Sequence, residues 1–192
     1  MEGVERLEQD LEILEAMAAE IDDYLRSDVL FWPMRRSDLP RLTLGGYLLR
    51  QHRLLELRDL LGMEERERLH EAIKVYHDAL EEKVVRTERK AHEELEARLR
   101  QWNEYLREIK RGVNVAYYAS AVETRAMIEA LLAQMRTAPY RLQDQIPQKL
   151  ALLDRELSRI WDRGEFVWPE AWQPAYPQDQ FWWLYGQPRK RE

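Results

Sequence analysis

The chain contains no cysteine among its 192 residues. A disulfide framework, a thiolate nucleophile and a cysteine-ligated zinc site are therefore excluded. The sequence also lacks any run approaching the roughly 18 consecutive apolar residues of a membrane-spanning helix, so we expect no membrane span. The acidic, amphipathic start of the chain lacks the basic and apolar regions of a signal peptide, and we therefore expect a cytoplasmic protein.

Common catalytic and phosphate-binding motifs are missing as well. No serine lies in the Gly-x-Ser-x-Gly turn that exposes a nucleophile, and residues 44–47 lack the lysine and the glycine spacing of a phosphate loop. Basic residues nowhere exceed acidic residues by enough to bind nucleic acid. We therefore expect no cofactor and no nucleic-acid partner. We favour a non-enzymatic protein–protein interaction or structural module, which forms a homodimer or binds another protein.

Charge is abundant but unevenly distributed. Residues 1–27 carry nine acidic residues against two arginines, a net charge of −7, whereas residues 28–62 carry six arginines against four acidic residues, a net charge of +2. Opposite charge in consecutive segments indicates that they pack as neighbours and neutralise each other. A charged fraction of 34% with only two asparagines is typical of a protein from a thermophile.

Two helices are predicted in the first third of the chain. Leucines at positions 7, 11, 14 and 25 form one apolar stripe and predict a helix over about 4–26. A second helix should begin between positions 38 and 43 and end at Leu61, before Gly62. The pair Gly45 and Gly46 is unusual there, because each glycine costs about 1 kcal/mol inside a helix. Either another backbone approaches closely at this point, or the helix begins after the glycines, which we favour.

The segment 63–110 contains no glycine and no proline, and we expect it to form one long helix. Such a helix would span about 70 Å. A compact chain of this length has a diameter near 40 Å, so the molecule should be elongated. Helices over about 114–135 and 146–161 complete the prediction, which is an all-α, elongated bundle of about five helices around the long one.

The C-terminal segment differs from the rest, since residues 167–188 hold four tryptophans and four prolines. We predict a helical bundle over 1–163 and an irregular aromatic arm over 164–192 that is docked and is not an independent domain. Its docking surface could be its own bundle, which we favour, a second copy in a homodimer, or another protein. The candidate partner-binding residues are Trp168, Trp172, Phe181, Trp182, Trp183 and Tyr185.

A small-anion site near the second helix is the first alternative function, whether as a binding site or an enzyme site. Tyr47, Arg50, His52 and Arg53 fall within about two turns of one another, and Trp32 or the arm could close a pocket over them. With Arg35, Arg36 and Arg41 of the preceding loop, these arginines could bind a phosphate or carboxylate group. The competing interpretation, which we favour, pairs these arginines with acids of the first helix such as Glu12, Glu15 and Asp22.

A metal-binding helical bundle is the second alternative. Glu67 and His70 have the Glu-x-x-His spacing of carboxylate-bridged metal sites, and Glu88 and His92 lie one helical turn apart. Such sites need two Glu-x-x-His pairs, and the sequence contains only one. A structural or solvated role for all four side chains is therefore the favoured interpretation.

Overall fold

The computed structural model describes residues 2–189, and over this range the chain forms six α-helices and one two-stranded antiparallel sheet. The sheet pairs Trp161 with Pro188 and Phe166 with Tyr185. The predicted class is confirmed, since the molecule is essentially all-α with an irregular aromatic C-terminal arm. The elements are α1 (Glu2–Arg26), α2 (Leu44–Glu56), α3 (Met63–Glu82), α4 (Val84–Lys110), α5 (Tyr118–Met135), α6 (Gln145–Arg159), β1 (Trp161–Phe166) and β2 (Tyr185–Pro188).

The helices pack in two groups that meet at α2. One group is α1 against α3, and the other is α4 against α5 and α6, while α2 packs on both α1 and α5. The stripe predicted for the first helix is buried, because Leu7, Leu11 and Leu14 have no exposed surface. None of the helices within residues 2–189 combines the length and the apolar character needed to cross a bilayer.

The start of α2 corrects our expectation that the helix begins after the two glycines. The helix begins at Leu44, and the Thr43 side chain caps it by accepting a hydrogen bond from the Gly46 N–H at 3.0 Å. Gly45 is required there by a close approach, because a Cβ at this position would lie 2.6 Å from Oε1 of Glu94. The Gly45 N–H donates to Oε2 of the same carboxylate at 3.0 Å.

The segment 63–110 is helical except at Lys83, where the backbone leaves the helical region with φ −129° and ψ 42°. The single long helix is therefore divided into α3 and α4. Contacts with the end of α1 surround the interruption: Lys83 pairs with Asp22, and Arg86 donates to the Arg26 carbonyl at 2.8 Å. Because α4 is tied to the C-terminus of α1 while α3 packs along it, tertiary contacts account for a break that no local breaker marks.

The C-terminal arm, residues 164–189 as described here, lies on its own bundle; predicted arm residues 190–192 lie outside the described part. The arm includes the second half of β1 and all of β2, so regular structure enters a segment predicted to be irregular. Its indole groups reach across the molecule. Trp172 donates to the Gly3 carbonyl at 2.9 Å, and Trp168 donates to the Ala119 carbonyl at 2.8 Å. The arm thus joins the start of α1 to α5.

Truncating Trp183 should destabilise the fold much more than truncating its neighbour Trp182. Trp183 is 2% exposed and lies over Arg125, whereas Trp182 is only partly buried and packs edge-to-face on Trp161. We expect Trp183→Ala to lower the free energy of unfolding by about 3–5 kcal/mol in urea titrations. A loss from Trp182→Ala equal to that from Trp183→Ala would contradict this account of how the arm is held.

Candidate functional site

Two buried guanidinium groups hold the arm in place. The Arg53 guanidinium lies 3.6 Å from the centroid of a Trp172 ring, and its Nε donates to the Tyr176 hydroxyl at 3.1 Å. The Arg125 guanidinium lies 3.7 Å from a Trp183 ring centroid. Contacts of a cation with an aromatic face are stabilising, most of all where both groups are desolvated.

The predicted partner-binding residues are largely occupied by these contacts within the chain. Five of the six are buried, and Trp182 is partly exposed. The structure brings them into one aromatic cluster in which Trp168 contacts Trp172 and Trp183 contacts both Phe181 and Trp182. Their role toward a second chain stays a prediction. A partner would meet few of these side chains unless the arm moved.

Arg50 and Arg53 share one carboxylate. Nη1 of Arg53 lies 2.5 Å from Oδ2 of Asp10, and Nε of Arg50 lies 3.3 Å from Oδ1. For Arg50 and Arg53 the favoured pairing with an acid of α1 is correct in kind, but the acid is different. Of the acids named, Glu12 does pair with Arg36 of the same predicted cluster, whereas Glu15 and Asp22 pair with Arg68 and Lys83.

Asp10 is the residue that sequence analysis missed. It is 7% exposed and lies one turn from both Leu7 and Leu14, on the apolar stripe of α1. A carboxylate on the buried face of an amphipathic helix requires a cationic partner. The position of Asp10 on the apolar stripe was therefore the signal available in the sequence.

The shared carboxylate lies beside a cavity of about 390 Å³, here called the arginine cavity. Helices α1, α2 and α5, the loop before α2 and the arm all contribute to its wall. The lining residues are Arg6, Gln9, Asp10, Ile13, Pro40, Leu49, Arg50, Arg53, Glu123, Met127 and Trp172. Five of these eleven side chains are charged, so the cavity combines charged and apolar walls.

The other predicted ligand-binding residues lie elsewhere. Tyr47 is fully buried and stacks on Tyr76 with ring centroids 3.5 Å apart, and burial raises the pKa of Tyr47. The Trp32 indole donates to Glu20 at 2.9 Å. His52 places Nε2 2.8 Å from the Ala175 carbonyl of the arm. The five predicted residues are thus divided among four places, and only Arg50 and Arg53 contact the same group.

A second cavity, here called the α2–α5 groove, is open on one side and has a volume of about 400 Å³. It shares only Leu49 with the arginine cavity. Alanines of α5 and leucines of α2 form most of its apolar wall, and the arm closes one end. The lining residues are Leu48, Leu49, Gln51, His52, Leu55, Ala126, Glu129, Ala130, Ala133, Gln134, Thr137, Tyr176, Gln180 and Phe181.

The predicted metal ligands have structural contacts or lie on the surface. The Gln143 N–H donates to Nε2 of His92 at 3.2 Å, so Nδ1 carries the proton and donates to the Glu88 carbonyl at 2.9 Å. The Glu88 carboxylate accepts from the Arg141 N–H at 2.9 Å, which ties α4 to the loop before α6. Glu67 and His70 are exposed on α3. Within residues 2–189, no three His, Asp or Glu side chains are close enough to hold a metal ion.

Comparison with protein-family models, curated proteins and solved structures finds no significant match for this chain. The features of this chain that bear on its function are therefore the two cavities and the arm, which contributes to the walls of both.

Removing the Arg53 guanidinium should be strongly destabilising. Arg53→Ala leaves the Asp10 carboxylate with one partner and removes the cation from the Trp172 face, so we expect a loss of about 3–5 kcal/mol in the free energy of unfolding. Arg36→Ala is the matched control, because its ion pairs with Glu12 and Asp38 are exposed and we expect a much smaller loss. Equal losses in the two variants, measured by urea unfolding, would show that the buried pair does not hold the arm.

Proposed function

We propose that this protein is a non-enzymatic interaction module that binds an apolar segment of a partner protein in the α2–α5 groove. The single observation that carries the proposal is the groove itself, which is open to solvent, mainly apolar and bounded by three elements. Clefts of about 300–1,000 Å³ with a few polar groups are the usual form of a binding site. In this proposal the partner contacts the groove, whereas the sequence alone suggested the aromatic rings of the arm beside it.

The shape of the groove favours a peptide segment with one large anchor side chain. Along α5 the lining runs from Ala126 to Gln134, a length of about 12 Å, which matches about two turns of helix or a short extended peptide. Because the alanine side chains are short, they leave room in the groove for a bulky side chain. Aromatic anchors in such pockets supply most of the binding energy at protein interfaces.

Gln51 favours an anchor that carries a hydrogen-bond donor. Its Oε1 is buried and has no hydrogen-bond partner within residues 2–189, and its side chain lines the groove. A buried acceptor without a partner costs about 1–3 kcal/mol. If the Gln51 amide rotates toward a bound peptide, its Oε1 can accept a hydrogen bond. A tyrosine hydroxyl or a tryptophan N–H therefore fits best as the donor.

The titratable groups of the groove support binding rather than catalysis. Nε2 of His52 is engaged by the Ala175 carbonyl, and the Glu129 carboxylate accepts from Arg125 at 2.9 Å. Both groups therefore have structural roles, in holding the arm and in holding α5. A general acid or base would need free access to a substrate proton.

The same proposal includes the cellular location of the protein and the growth temperature of its source. A cytoplasmic location is favoured by the absence of cysteine, and growth at high temperature is favoured by the many ion pairs that join different helices, such as Arg68 with Glu15 and Lys149 with Glu96. A homodimer would be one form of the interaction, with a second copy as the groove's partner.

The test is a selection of displayed peptides against the wild-type protein with counter-selection against Ala133→Phe. Ala133 is exposed and lines the groove, so a phenyl group there should block the groove without disturbing the core. We expect peptides that contain tyrosine or tryptophan, bind the wild type and lose at least about tenfold in affinity for Ala133→Phe, a change of about 1.4 kcal/mol.

Leu152→Phe is the matched control, because Leu152 is 56% exposed on α6 and does not line the groove. It should leave the affinity of the selected peptides unchanged. Sedimentation of the same variants tests the homodimer, which Ala133→Phe would dissociate if the second copy occupies the groove. Peptides that bind the wild type and Ala133→Phe equally well would refute the proposed site.

A further inference from the structure

The loop between α5 and α6, residues 136–144, is held on α4 by two side-chain acceptors. The Glu88 carboxylate accepts from the Arg141 N–H at 2.9 Å, and Nε2 of His92 accepts from the Gln143 N–H at 3.2 Å. Both contacts are made to backbone N–H groups, which can only donate. A carboxyl group still accepts after it is protonated, but a charged imidazole cannot, so His92 holds the loop only as the neutral ring.

Both ring nitrogens of His92 are committed by their partners. Nδ1 donates to the Glu88 carbonyl one turn earlier at 2.9 Å, which leaves Nε2 as the acceptor for Gln143. The residue is only 9% exposed, so water has little access to the ring while the loop is in place. A proton added at Nε2 would point at the Gln143 N–H, and two donors cannot form a hydrogen bond. Protonation of the ring therefore requires the loop to move away.

The charged groups around His92 do not replace the contact with Gln143. Those on the surrounding elements are Glu88, Arg89 and Glu96 on α4, Arg136, Arg141 and Asp144 in the loop, Lys149 on α6 and Glu81 on α3. Glu96 pairs with Lys149 at 2.6 Å, and Arg89 with Asp28 at 3.3 Å. Attraction to the Glu88 carboxylate would help the ring to take up a proton, but it would leave the Gln143 N–H without its acceptor.

The order in which these groups take up protons makes His92 the sensitive one. Burial raises the pKa of Tyr140 in the same loop, so its hydroxyl stays neutral at and below pH 7. A histidine in water takes up a proton near pH 6.5, and a carboxyl group does so below about pH 5. The loop contact is therefore stable above about pH 6.5 and weakens as the pH falls, because the released loop allows a proton to bind that the docked loop excludes.

We propose that Glu88 and His92 form an acid-sensitive clasp, which releases the α5–α6 loop from α4 when the imidazole is protonated. His52 provides the contrast within the same chain. Its Nε2 lies 2.8 Å from the Ala175 carbonyl, which can only accept, so this nitrogen carries a proton in both charge states. A proton added to His52 at Nδ1 leaves that contact with the arm intact.

The test follows amide hydrogen exchange of the full chain by NMR at pH 7.5 and pH 5.5, expressed as protection factors, which remove the intrinsic pH dependence of exchange. We expect the protection of the Gln143 amide to fall about tenfold at pH 5.5, the ratio set by a histidine that is protonated one pH unit below 6.5 in the open loop. The amide of Leu95, which is fully buried in the middle of α4, should keep its protection and so separate local release from unfolding.

His92→Gln tests the assignment, because a glutamine oxygen can accept from the Gln143 N–H and takes up no proton in this range. We expect this variant to lose less than about twofold of its Gln143 protection, whereas the matched control His52→Gln should show the same tenfold loss as the wild type. If His92→Gln does not fold, ring and amide titrations of the wild type decide, since the His92 imidazole and the Gln143 amide must then change with one midpoint. Unchanged protection in the wild type, an equal loss in His92→Gln, or separate midpoints would each overturn the proposal.

Discussion

The arm stays on the bundle because one buried guanidinium, that of Arg53 on α2, contacts both α1 and the arm. It pairs with Asp10 on α1, donates to Tyr176 in the arm and lies against the Trp172 ring. Burying a cation is unfavourable unless its donors and its charge are satisfied together. The carboxylate, the hydroxyl and the ring face meet that requirement only when α1, α2 and the arm are assembled, so the contact links local helix formation to the tertiary structure.

Both cavities depend on the same assembly. Trp172 lines the arginine cavity, while Tyr176 and Phe181 close one end of the α2–α5 groove. Burial raises the pKa of Tyr176 to about 12 even though Arg53 lowers it, so the hydroxyl remains neutral and can accept from Arg53. The aromatic side chains thus form part of the walls of both cavities.

Other buried charges join elements in the same way, and their pairings show where sequence analysis ends. Glu94 is fully buried, accepts from the Gly45 N–H and pairs with Arg98, which fixes α2 against α4. From the sequence alone, Gly45 is a residue that is unfavourable inside a helix, and Glu94 is one of many charged residues on an amphipathic helix. No local sequence pattern predicts that the two residues meet, because they are 49 positions apart and their contact depends on how the helices pack.

The sequence by itself determined the helical class, the buried stripe of α1 and the unusual character of the aromatic C-terminus, because periodicity and composition are local properties. Only the tertiary structure decided that the long helix is interrupted at Lys83, that Asp10 is the partner of Arg50 and Arg53, and that the tail docks on its own chain. Each of these outcomes depends on pairing a charged or aromatic group with a distant residue. The free energy of such a pair is determined by burial and geometry, which arise only after the helices have packed.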